Sequence, residues 1–107
     1  MAFTIKQGDT SPALVADLKT PDRQPANLVG ATVRFHMRNK RRSGDIVDQP
    51  AAVTDAANGQ VRYDWQTGDT GTAGEFEVEF EATYADGTIE TFPNKGYIDV
   101  TIPEQIA

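Results

Sequence analysis

Residues 69–92 read DTGTAGEFEVEFEATYADGTIETF. Phe76, Val78, Phe80, Ala82 and Tyr84 alternate with Glu75, Glu77, Glu79, Glu81 and Thr83, a period of two that gives a strand one apolar and one charged side. Asp86-Gly87 then supplies residues that tolerate positive φ, as a tight hairpin requires, and Thr88–Phe92 returns beside the first run. A long half-buried strand with a hairpin mate predicts an antiparallel sheet.

The same punctuation extends in both directions. Strands are expected at Phe3–Gln7, Leu14–Leu18, Ala31–Arg38, Gln60–Trp65 and Tyr97–Ile102, with weak strands at Ile46-Val47 and Ala51–Thr54 broken by Pro50. Turn clusters separate them: Gly8–Pro12, Thr20–Ala26, Asn39–Asp45, Asn58-Gly59 and Pro93–Gly96. No segment has a convincing helical period. Seven to nine short strands in one domain spanning 1–107 predict an all-β antiparallel sandwich. The expected core is Phe3, Ile5, Leu14, Leu18, Val33, Phe35, Met37, Val61, Tyr63, Trp65, Phe76, Val78, Phe80, Ile98, Val100 and Ile102.

The net charge of −6 disfavours nucleic acid as the main partner, since phosphates demand a positive surface. The chain has no cysteine, which excludes disulfides and thiolate metal sites. Met1-Ala2-Phe3-Thr4 opens straight into a strand pattern. No signal peptide and no transmembrane segment are therefore expected, and synthesis in a cytoplasm is the default.

Four features could carry chemistry. The row Glu75, Glu77, Glu79, Glu81 spaces its carboxylates by about 6.8 Å, a separation that paired carboxylates of glycoside hydrolases also use. Such a pair needs a cleft and unequal environments; a row on one open strand reads instead as a solvated face or a docking surface for a basic partner. The basic run Arg38, Lys40, Arg41, Arg42 lacks interleaved aromatics for stacking bases, so it reads as a solvated loop or a contact for an acidic protein patch. His36 is the lone histidine and has no sequence signature of a catalytic or metal partner. Trp65, Tyr63, Tyr84 and Tyr97 could stack on a sugar if exposed, but aromatics of small β domains mainly build the core. No catalytic residue, metal ligand, cofactor site or small-molecule ligand is expected.

Asp69–Phe76 resembles the corner that opens the F strand of an immunoglobulin-type domain. Phe76 stands where that corner has tyrosine, so a phenolic hydrogen bond from that position is unavailable and packing is expected to hold the turn. The whole chain resembles, in order, the immunoglobulin-like N-terminal domain of phage baseplate upper proteins. The likeness rests on Phe3-x-Ile5, Gly8-Asp9-Thr10-x-Pro12, Leu28-x-Gly30-Ala31-Thr32-Val33-x-Phe35-x-Met37-Arg38, Gly59-x-Val61-x-Tyr63-x-Trp65, Asp69-Thr70, Ala73-Gly74-x-Phe76-x-x-Glu79-Phe80, Asp86-Gly87 and Phe92-Pro93.

That resemblance implies an immunoglobulin-like sandwich serving as a non-enzymatic virion structural protein, a tail, baseplate or fibre adaptor. Its partners would be other virion proteins, in symmetric multiple copies, with no membrane involved. Longer members continue into a stalk or receptor-binding part, so the end at Ala107 raises the expectation of a stand-alone tail or head accessory. The alternatives are a head decoration protein, a carbohydrate-binding module using exposed aromatics, and a small hydrolase using two of the glutamates. The expected contact residues are Arg38, Lys40, Arg41, Arg42, Glu75, Glu77, Glu79 and Glu81, together with the N-terminal strand.

Overall fold

A computed structural model describes residues 2–41 and 45–106, with the backbone alone at residue 45. Among the described residues eight strands follow one another: β1 (Ala2–Thr4), β2 (Leu14–Asp17), β3 (Thr32–Asn39), β4 (Asp45–Asp55), β5 (Gln60–Tyr63), β6 (Gly74–Thr83), β7 (Ile89–Phe92) and β8 (Ile98–Ile102), with one 3-10 turn at Ala56–Asn58. Half of the chain is strand and 3% is helix, in keeping with the all-β expectation.

The strands form one path, β1-β8-β6-β3-β4-β5-β2, with β7 as a branch on β6. The path curls until it is nearly closed into a barrel. This differs from two separate stacked layers, and β4 is the reason. Its first part pairs with β3 through Ala51, and its end pairs with β5 from Ala52, so one strand serves both halves. Register shifts at Met37/Arg38 and Val53/Asp55 add local bend and twist where the path turns. A second difference lies at the N-terminus, where β1 runs parallel to β8, so the sheet is not wholly antiparallel.

Pro50 does not break β4. Lys40 N–H donates to Glu75 O at 3.1 Å, which fixes the even residues of β3 as those bonded to β6. The odd residues bond to β4, and Pro50 opposite Arg34 occupies a non-hydrogen-bonded position. Its imide nitrogen turns away from β3, and β5 begins pairing only at Ala52. No ladder bond is lost, which is the setting a strand proline tolerates.

Central strand β6 carries β3 along one edge. Its other edge is shared: Gly74–Val78 pairs with β8 and Phe80–Thr83 with β7. The odd–even assignment holds, because Phe76, Val78, Phe80 and Ala82 are buried. Across the core Phe35 of β3 stacks face to face on Tyr63 of β5, with ring centres 3.9 Å apart and planes within 1° of parallel. Trp65 meets both rings edge-on at 5.5 Å. Such aromatic contacts add to a large burial of apolar area.

Fifteen of the expected core side chains are buried, the exception being Phe3, which is half-buried and rests on Trp65 at 6.0 Å between ring centres. Leu28, Ala26 and Val47 are buried although they sit in segments with no clear period. Among the described residues no helix is long and apolar enough to cross a membrane.

Candidate functional site

The outer face of β4, β3 and β6 is a grid of charges set by strand register. Arg34, His36 and Arg38 of β3 lie opposite Glu81, Glu79 and Glu77 of β6. On the other flank His36 lies opposite Asp48 of β4. Because inward residues alternate with outward ones, this basic column stands between the glutamate column of β6 and Asp48 of β4.

The contacts follow the grid. Arg34 Nε donates to Asp48 Oδ1 at 2.8 Å and its Nη2 to Asp48 O at 3.1 Å. The hydrogen bond from Arg34 holds the Asp48 carboxyl below the usual carboxylate range. Half-buried His36 places Nδ1 3.7 Å from Asp48 Oδ1 and Nε2 3.9 Å from Glu81 Oε1. Arg38 Nε donates to Glu77 Oε1 at 3.1 Å, and Nη2 donates to Tyr97 Oη at 2.9 Å. Lys40 Nζ meets Asp99 Oδ1 at 2.6 Å, which lowers the Asp99 carboxyl and raises the lysine. Thr101 Oγ1 donates to Glu75 Oε1 at 3.0 Å.

Of the expected contact residues, Arg38, Lys40, Glu75, Glu77, Glu79 and Glu81 share this face. Glu75 is exposed, whereas Glu77, Glu79 and Glu81 are half-buried between neighbouring side chains. Their environments are unequal, against the uniform solvated row read from the strand pattern. Arg38 and Lys40 of the basic run are tied into the grid. Arg41 is exposed and its backbone N–H bonds Asn39 Oδ1 at 2.8 Å. Arg42 lies outside the described residues.

Three participants escaped the sequence. Tyr97 was expected only to begin the last strand, yet it is 41% exposed and stacks under Arg38, whose guanidinium carbon is 5.0 Å from the ring centre. This brings an aromatic to the basic run from 59 residues away along the chain. Asp48 and Asp99 are the acidic mates of Arg34 and Lys40. Their strands were recognisable, but the pairing between strands was not written locally.

Three of the four aromatics weighed as a sugar platform are wholly or partly withdrawn from solvent. Trp65 is 4% exposed, Tyr63 is buried and Tyr84 is half-buried with its hydroxyl donating to Glu90 Oε1 at 2.7 Å. Desolvation first, and then that hydrogen bond to a carboxylate, push the Tyr84 phenol up to about 12. Among the described residues no group of three or more His, Cys, Asp or Glu could hold a metal ion.

Exposed ion pairs are each worth only about 0–1 kcal/mol, because water and salt screen them. A grid of such pairs offers a neighbouring protein alternating charges that exchange partners at little cost.

The description "BppU N-terminal domain" matches residues 2–93 of the chain. The chain belongs to this family of phage baseplate upper proteins. Membership implies contact with other virion proteins. No curated protein matches the chain. Beyond the matched region, β8 is an integral strand, paired on one side with β1 and on the other with β6.

Proposed function

We propose that the protein is a non-enzymatic structural adaptor of a phage baseplate or tail, acting by docking against other virion proteins in several symmetric copies. Family membership over residues 2–93 is the observation that carries this reading. The outer grid supports it in physical terms: it is wide, charged in alternating sign, and built on paired strands that hold its residues in register. A rigid patterned face suits repeated docking, since the same patch meets the same neighbour in each copy.

The nearly closed barrel is read as a variant of the immunoglobulin-like sandwich. Its support is that β3 and β5 oppose each other through Phe35 and Tyr63, with the Asp69 corner leading on to the central strand. The non-enzymatic assignment draws on the pairing of the glutamates, since Glu77 and Glu81 both engage cations or an imidazole on β3. Placement in the tail is favoured over the head by the baseplate character of the family.

Quantitative mass spectrometry of gradient-purified virions, with antibody labelling viewed by electron microscopy, tests the proposal. The chain should co-purify at fixed stoichiometry and label the tail end. Its absence from intact particles would remove the reading.

A further inference from the structure

The barrel fails to close between β2 and the connection from β7 to β8. A groove of about 560 Å³ opens there, lined by Ala16, Leu18 and Lys19 on one wall and Phe92, Lys95 and Ile98 on the other. Its floor is apolar, since Ala16, Leu18, Phe92 and Ile98 are all core residues. Ala16 is small where its inward neighbours on the same strand are Leu14 and Leu18, and that leaves room above it.

The backbone of β2 gives the groove its chemistry. Leu18 N–H donates to Gly59 O at 2.8 Å and Leu18 O accepts from Ala26 N–H at 2.9 Å, so both Leu18 groups turn toward the β5 side. By alternation, Val15, Asp17 and Lys19 turn their N–H and C=O groups the other way. Among the described residues β2 pairs with β5 alone, and no strand lies on that second side. The edge is a row of backbone donors and acceptors with the spacing of a sheet ladder.

The opposite wall is built differently. Pro93 has no N–H, and Asn94 Nδ2 donates to Thr91 O at 3.0 Å, which caps the outer edge of β7. One edge is blunted and the other is left open beside Val15, which is 47% exposed.

We propose that this seam is a strand-acceptor site, taking an extended segment of a neighbouring polypeptide along β2. A ladder of peptide groups is satisfied by another peptide backbone, the mode in which a strand is added to a sheet edge. Alternate side chains of the incoming segment enter the groove and must be apolar. Lys19 and Lys95 stand at the two walls, exposed, so the segment carries carboxylates near its ends. A second copy is a poorer occupant, because symmetric pairing centred on the open edge sets Asp17 opposite its own counterpart. The inference rests on the assembly reading only for where the neighbour comes from; the site itself rests on β2.

The test uses the full chain and a blocked seven-residue peptide alternating valine with threonine, with glutamate at both ends. Amide hydrogen exchange by NMR is read at Val15, Asp17 and Lys19. These amides should exchange freely in the protein alone and slow at least tenfold with saturating peptide, while Thr91 is unchanged. Asp17→Pro removes the central donor from an edge position that tolerates proline and should abolish the protection. Lys19→Glu with Lys95→Glu leaves the backbone intact and should weaken binding at least tenfold.

Prior protection of the three amides, protection elsewhere, no binding at millimolar peptide, or self-association in its place would each overturn the site. Failure here with the chain still found in virions removes the acceptor site alone. Peptide binding by a chain absent from virions removes the assembly reading instead.

Discussion

The hydroxyl of Tyr63 donates to Asp69 Oδ2 at 2.5 Å, and the same carboxylate oxygen accepts from the backbone N–H of Gln66 at 2.8 Å. One buried phenol thus ties the end of β5 to the corner that leads into β6. The turn was expected to depend on packing alone, because Phe76 occupies the position where a corner tyrosine would sit. A tyrosine does bond the corner, but it comes from β5, and its ring is the one that stacks on Phe35. Tyr63→Phe keeps the stack and deletes the bond. A hydrogen bond to a charged group is worth about 1.5–3 kcal/mol. Urea unfolding should show a loss in that range with an unchanged m-value.

Gly59 ends the 3-10 turn with φ +70, and a Cβ placed there would sit 2.5 Å from Leu18 O and 2.9 Å from Ala26 O. Gly87 also has positive φ, at +87, but nothing lies within 4 Å of its would-be Cβ. Gly87→Ala should cost about 1–2 kcal/mol, the backbone penalty alone. Gly59→Ala should cost at least about 2 kcal/mol, since overpacking against fixed backbone adds to that penalty. Thermal denaturation of the pair checks the order; equal costs would mean that the Leu18 and Ala26 segment gives way.

Burial and carboxylate partners raise the phenols of Tyr63 and Tyr84, the latter to about 12. A folded-state value above the ordinary value of about 10 favours the neutral phenol in the native protein. The stability this contributes is complete below pH 10 and is lost as pH rises through the folded-state value. Tyrosinate absorbance at 295 nm should therefore show both rings un-ionised at pH 10 in the folded protein. Unfolding in urea at that pH should release further signal.

Asp48, Asp86 and Asp99 are shifted in the opposite sense: Arg34, Thr88 and Lys40 respectively hold their carboxyls below the usual range. Their stabilising effect is present above the ordinary carboxylate value and disappears as pH falls through the lowered one. Two-dimensional NMR of side-chain carboxyls should find these three titrating below the ordinary aspartate value. Asp48 should rise toward its ordinary value in Arg34→Gln.

Reversing charge on the outer face should separate assembly from folding. Arg38→Glu with Lys40→Glu breaks the contacts to Glu77, Tyr97 and Asp99. Each exposed pair contributes about 0–1 kcal/mol, so the variant should fold with a small loss of stability. Incorporation into particles, measured by complementation and blotting of purified virions, should fall at least tenfold.

The strands and the inward faces were legible because alternation is local: β6 shows its buried phenylalanines in ten consecutive residues. Pro50 misled because its tolerance depends on which neighbour its nitrogen faces, a property of pairing rather than of the residue. The near-closed path was hidden for a similar reason, since β4 reads as two weak fragments until β3 and β5 are both in place. At the candidate site, the basic and acidic columns could be named from sequence. Tyr97 beneath Arg38 could not, because only the turn after β7 carries that ring to β3.

Whether this fold docks through its charged face is decided by a cryo-electron microscopy reconstruction of the intact virion. Density for this eight-stranded fold should appear in the baseplate or tail, repeated by its symmetry, with the β4–β3–β6 face against a neighbouring protein. A well-resolved particle in which this fold is missing, or in which that face points to solvent in every copy, would contradict this docking.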